Sequence, residues 1–521
     1  MRRRTVLQGL VAAAGASLVP SARSETKSGR WLRLESPNFT VYTTEWDVRS
    51  RNELIALERF NALLSRIMPH QDQAERSKLT IYVLGSRRDF DIGAPGMPAE
   101  VAGFYLAGLE QTRAVSLAGA GRERQRDMPR NVRAMDSRVI LFHEYAHHFS
   151  RANVRVSYPA WYQEGFAEFL STAEFEENFC NLGKFTSSRG VWLAYGDWMP
   201  IEKFLSKNTW EMTGEENAQF YAQAWLAAHY LFFKPERAKG FTRYCAELQA
   251  DGDPLGAFEP AFGITPAAFD QELRDYKATA LSIVRLRDSA ADIDASITMT
   301  KLDTVYDNLL MPASFLRSLP TADEAKAAVA TIRAESKKFP ADAFAIRTAA
   351  LAEVWYGDLA VARKQLDALV AMDAQSAETL HLSGLCDLRM GYAADDGDLI
   401  KKARKSFAAV QKIDPTRAIS LFRYVEAYLR ETNEVTPHLM DVLVAAYNRA
   451  PQVDEIALVA AQALMIHDRF EEAGYILQPM VGDIHSRGKS SIAMTLLKTA
   501  RAEKAEYFSF FGSAKDEAGS P

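Results

Sequence analysis

Apolar positions divide this chain into a first half of mixed strand and helix signals and a second half that is helical throughout. From Trp31 to Thr43, aromatic and β-branched residues alternate with polar ones, which predicts a strand. Leu54, Leu57, Phe60, Leu63 and Leu64 fall at helical spacing and predict a helix over 51–68. Leu79–Leu84 predicts a second strand, and 102–118 predicts a hairpin. Val139-Ile140-Leu141-Phe142 and Phe149 mark an apolar helix; further helices begin at Pro159 and run through 220–230.

Beyond residue 325 helix-breaking pairs recur at Phe339-Pro340, Asp373-Ala374, Asp414-Pro415 and Ala450-Pro451, at intervals of 34, 41 and 36 residues. The longest interval holds a polar insertion around Ala393–Asp398. Ala362 with Leu366 and Leu369, Ala403 with Phe407 and Val410, and Ala473 with Leu477 and Met480 repeat one small/large pattern. A period near 34 residues is that of tetratricopeptide repeats, so 325–510 resembles such an array, with most of its consensus Trp and Tyr missing.

The first apolar helix carries the chemistry. It contains His143-Glu144-Tyr145-Ala146-His147, an H-E-x-x-H segment. Histidines four apart on a helix project about 40° from each other, so both imidazoles can grip one zinc ion while the intervening glutamate acts on its water. His148 points off that face and is expected to be structural. A catalytic zinc needs three protein ligands and an open position. Glu164, on the next helix with sixteen residues between it and His147, is placed to be the third. Glu168 lies one turn further on the same face, where it can accept the free ring N–H of a ligating histidine. Gly165 lacks a side chain and is expected to let this helix approach the metal helix.

Trp161, Glu164, Gly165, Ala167 and Glu168 match a W-x-x-E-G-x-A-E pattern, and in this the chain resembles the gluzincin metallopeptidases. The resemblance implies a zincin-like α+β domain over 28–285, zinc held by His143, His147 and Glu164, Glu144 as general base, and Glu168 supporting a ligand. It also implies that substrate adds as a strand to the sheet edge nearest the metal, here assigned to Ala114–Leu117. Gluzincins place a Tyr or His some 60 residues past the third ligand to stabilise the oxyanion; Tyr221 and His229 lie 57 and 65 residues past Glu164. Tyr221-Ala222-Gln223-Ala224-Trp225 looks like the corresponding helix of peptidase MA-like proteins, and Glu259–Tyr276 like their closing helix. No G-A-M-E-N-like element occurs in 100–120, which favours an endopeptidase over an aminopeptidase.

Residues 1–24 read as a targeting segment: Arg2-Arg3-Arg4-Thr5-Val6-Leu7 resembles the twin-arginine export motif, and Ala22 and Ser24 offer small residues for cleavage. This predicts a bacterial envelope protein, periplasmic or secreted. Loss of the leader's four arginines moves the formal charge from −5 to −9, which argues against nucleic acid as a partner. Of Cys180, Cys245 and Cys386, the first two are the one pair that a single domain could join, and no CxxC spacing makes them zinc ligands. No segment of the mature chain is expected to cross a bilayer. The predicted order is leader 1–24, peptidase-like domain 28–285, helical connector 286–324, tetratricopeptide-like all-α domain 325–510 and tail 511–521. The expected function is zinc-dependent cleavage of protein or peptide, with the repeats serving a protein partner. The alternative is a catalytically silent scaffold on the same two domains.

Overall fold

Pro37 and Asn38 split the first predicted strand in two. The computed structural model describes residues 28–45, 48–69, 76–99, 101–118, 137–207, 212, 214–287, 296–481 and 489–504. The expected leader and the whole of the expected tail lie outside them. In it β1 (Ser28–Glu35) and β2 (Phe39–Thr43) pair antiparallel. Proline has no N–H for a ladder and asparagine favours turns. Glu58 fixes the corner by accepting from the Asn38 backbone N–H at 2.9 Å and its side-chain amide at 2.6 Å.

With β3 (Leu79–Leu84), β4 (Gly103–Ala107), β5 (Thr112–Leu117) and a late strand, Thr298–Asp303, these form a mixed six-stranded sheet. Its order is β4-β5-β3-β2-β1 and then the late strand, with β2, β3 and β5 mutually parallel. Two expectations change here. The edge strand is β4, not Ala114–Leu117, which lies in β5 between β4 and β3. The stretch 286–324 is not simply a helical connector, because Thr298–Asp303 pairs antiparallel with β1. Leu302 is the one buried residue of that strand, so its alternation is too weak to read from the sequence.

Helix α1 (Val48–Ile67) and α2 (Arg87–Gly93) follow β2 and β3. The metal-motif helix α3 (Ser137–Asn153) packs one face on the core: the Phe142 ring stacks on Phe60 at 4.2 Å, and Tyr145 meets Phe39 edge-on at 4.9 Å. Its other face turns to α4 (Ala160–Ser171). After α4 come β6 (Glu174–Phe175), β7 (Phe179–Leu182), α5 (Ser187–Tyr195), α6 (Ile201–Ser206) and α7 (Gly214–Phe233). Then follow α8 (Pro235–Asp251), α9 (Phe258–Phe262), α10 (Pro266–Lys277) and β8 (Val284–Arg287), the last completing a small β6-β7-β8 sheet. The expected single closing helix is two, broken at Gly263, whose φ of 71° suits glycine.

The helical region opens with α11 (Tyr306–Leu316) and α12 (Ala322–Ser336). Four successive helix pairs follow: Ala343–Tyr356 with Leu359–Met372, Ala377–Ala394 with Gly397–Ile413, Ala418–Thr432 with Pro437–Arg449, and Asp454–Ile466 with Phe470–Leu477. Each predicted break falls just before a pair. The small/large positions Ala362, Leu366, Leu369, Ala403, Phe407, Val410, Ala473, Leu477 and Met480 are all buried. The expected polar insertion is a tight turn instead: Asp395 takes a left-handed φ of 52° and Asp396 caps the next helix. The extra residues lengthen the two helices to 18 and 17 residues.

The two regions interlock at the tip of the β4–β5 hairpin. Glu110 is buried between His381 Nε2 at 3.1 Å and Arg423 Nη2 at 2.8 Å, and Leu109 packs on the helical core. Burial opposes its ionisation, yet Arg423 and His381 hold the Glu110 carboxyl far below the usual carboxylate range. Near the end of α3, Arg151 pairs with Asp454 and donates to the Pro479 carbonyl at 3.0 Å. Cys180, Cys245 and Cys386 are buried and none is in a disulfide, so Cys180 and Cys245 are not joined. Among the described residues no helix is long and apolar enough to cross a membrane.

Candidate metal centre

The core contacts of Phe142, Tyr145 and Phe149 fix the rotation of α3 and leave His143 and His147 facing α4. Their Nε2 atoms stand 3.0 Å apart. Glu164 Oε2 lies 3.1 Å from His143 Nε2 and 3.5 Å from His147 Nε2. Ligands about 2.0–2.1 Å from a tetrahedral zinc ion lie about 3.3–3.4 Å from one another. The three buried donor atoms therefore have the size and chemistry of one face of such a site. Glu164 Oε2 also lacks a hydrogen-bond partner within the protein, a costly state for a buried carboxylate that a cation relieves. Among the described residues these three form a group able to hold a metal ion.

The surroundings are charged in a definite way. Burial disfavours the His143 imidazolium, but Glu164 and Glu168 overcome it and hold that group up at about 10. Burial likewise opposes Glu164 ionisation, and His147 and His143 outweigh it, keeping the carboxylate well below its ordinary range. A cation entering the triangle replaces the imidazole proton. Glu168 Oε1 stands 3.3 Å from His143 Nδ1, although the angle there misses hydrogen-bond geometry. Glu144 is raised by burial against the lowering charges of His143 and His147, and the Tyr105 backbone N–H on β4 bonds its carboxylate.

Of the two candidates on α7, Tyr221 is at the site and His229 is not. The Tyr221 ring centroid lies 6.2 Å from that of His143. His229 is eight residues on, about 12 Å along the helix. Both of its nitrogens are engaged, with the Ser282 carbonyl at 3.0 Å and the Tyr276 hydroxyl at 2.9 Å, and burial pushes it down to about 4. His148 bonds the Tyr105 hydroxyl through Nδ1 at 2.8 Å and, by burial, falls to about 3, as a structural histidine would.

Gly165 serves a different neighbour from the one expected. A Cβ on it would lie 2.1 Å from the Ala224 carbonyl oxygen, so it permits contact of α4 with α7, the helix of Tyr221, rather than with α3. Nothing in the sequence marks Arg189 as part of the site. Its Nε and Nη2 donate to Glu168 Oε2 and Oε1, both at 2.8 Å, and its guanidinium carbon lies 4.9 Å from the Tyr221 ring centroid. It stands alone on a different short helix, and no spacing ties it to the motif. No protein-family model matches the chain, and no curated protein matches it.

Proposed function

We propose that this chain is a gluzincin-type zinc metallopeptidase, an endopeptidase, with a zincin-like domain followed by tetratricopeptide-like repeats. The observation that carries the reading is the buried triangle of His143 Nε2, His147 Nε2 and Glu164 Oε2, with Glu144 set between the two histidines in sequence. His143, His147 and Glu164 would hold the ion. When bound, zinc supplies a Lewis acid that makes water nucleophilic near neutral pH.

Glu144 takes the proton released as the peptide carbonyl is attacked and returns it to the leaving amine. Its raised pKa, caused first by burial, suits a group that must both accept and give up that proton. The Tyr221 hydroxyl is the donor for the oxyanion. Substrate is aligned by β4. Because the Leu117 N–H bonds the Ala102 carbonyl at 2.8 Å, residues 104 and 106 pair inward, and Gly103, Tyr105 and Ala107 turn their backbone groups outward, the Tyr105 N–H to Glu144. An extended peptide can add there through main-chain hydrogen bonds, with little demand on its side chains.

The leader supports export to the bacterial envelope, and the repeats support a protein partner, although the hairpin tip already occupies part of their surface. The retained Glu144 argues against a silent scaffold, which can hold metal without it. Stripping metal with a chelator is expected to abolish cleavage of an unfolded protein, and zinc is expected to restore it; cleavage that survives complete metal removal contradicts the reading. Tyr221→Phe is expected to lower kcat by about 10²–10³-fold at unchanged zinc content, the range for losing one oxyanion donor. An unchanged kcat removes Tyr221 from that role.

A further inference from the structure

We propose that Arg189 is a positioning residue for both halves of the centre, holding Glu168 against His143 and the Tyr221 ring in its place beside the metal ligands. The inference rests on the metallopeptidase reading only for the meaning of the Tyr221 contact; its metal half stands on geometry alone.

Three observations converge on this one side chain. Its two-pronged pair with Glu168 uses both carboxylate oxygens, and both partners are nearly buried, with side-chain exposures of 12% and 1%. Glu168 Oε1 in turn stands 3.3 Å from His143 Nδ1, the nitrogen left over when Nε2 faces Glu164 and His147. The same guanidinium lies over the Tyr221 ring. Thr186 holds the start of α5 by accepting from the Arg189 backbone N–H at 3.3 Å, so the arginine projects from a capped helix.

Charge makes the arrangement necessary. Glu164 and Glu168 are buried carboxylates one helical turn apart, and like charges so placed repel. Arg189 pairs the Glu168 carboxylate and so offsets one of these two charges. A carboxylate that orients a ligand imidazole must itself be held in one rotamer. A planar fork does this where a lysine ammonium bonds as a single point. For Tyr221, a cation over the ring restrains the phenol without using its hydroxyl, which stays available to a substrate.

The test measures zinc affinity by competition with a chelator in the full-length zinc-loaded protein. Wild type is compared with Arg189→Gln, Arg189→Lys, Glu168→Gln and the Glu168→Gln/Arg189→Gln double variant. Arg189→Gln and Glu168→Gln are each expected to weaken zinc binding by about 10–100-fold, as loss of a group behind a ligand does. The double variant is expected to be no weaker than Glu168→Gln, and Arg189→Lys to recover part of the loss. Unchanged affinity in Arg189→Gln, or losses that multiply in the double variant, would overturn the metal half. At saturating zinc, kcat is expected to fall further in Arg189→Gln than in Glu168→Gln with KM unchanged; equal kcat values overturn the Tyr221 half. The affinity arm needs no turnover, so absence of cleavage in every variant would sink the peptidase reading and leave this arm decided on its own.

Discussion

Gly165→Ala is expected to destabilise the protein by about 3 kcal/mol or more, the upper range for forcing volume into a packed core. Two effects of opposite sign meet at this position. Alanine is the better helix former by about 1 kcal/mol, and α4 is a regular helix. Against that, the new Cβ would sit 2.1 Å from the Ala224 carbonyl oxygen, and the obstacle is backbone rather than the end of a flexible side chain. Helix α7 must move away, and it carries Tyr221 one turn before Ala224. Activity is therefore expected to fall together with the urea midpoint. A variant more stable than wild type, as helix propensity alone predicts, would show that α4 and α7 are not in contact here.

Glu110→Ala tests how the helical region supports the sheet edge. The substitution leaves Arg423 and His381 buried without their shared carboxylate. Breaking a buried ion pair costs about 3–5 kcal/mol. Arg423 keeps Glu426 at 2.7 Å and His381 keeps Ser420 Oγ at 2.9 Å, so the lower end of that range is expected. The hairpin tip continues directly from β4, the strand proposed to align substrate, and its loosening is expected to raise KM more than it lowers kcat. A double-mutant cycle with Arg423→Ala checks the contact: a coupling above about 1 kcal/mol supports the interlock, and additive losses refute it.

Local spacing makes the candidate ligands legible. His143, Glu144 and His147 share one helix, so the helical period alone sets their geometry, and Glu164 with Glu168 repeats that on the next helix. Periodicity reports a face and not a depth. Tyr221 and His229 share a face of α7, yet the first reaches the site and the second is held by Ser282 and Tyr276. Sequence alone misplaces the edge strand, because both arms of the hairpin alternate alike and only tertiary pairing decides which is inside. The late strand pairs Lys301 with Leu32, far back along the chain, and Arg189 reaches Glu168 from a helix with no motif of its own. Contacts of that kind are set by packing between elements, and no local pattern announces them.

The claim that His143, His147, Glu164 and Glu144 form a working peptidase centre is tested most directly by one paired measurement. Zinc content and cleavage of an unfolded protein are measured side by side for wild type and Glu144→Gln. The expected result is about one zinc per chain in both, with cleavage by wild type and a loss of about 10²–10⁴-fold in the variant, as for removal of a general base. Equal cleavage by the two proteins, or no zinc in either, would contradict the account.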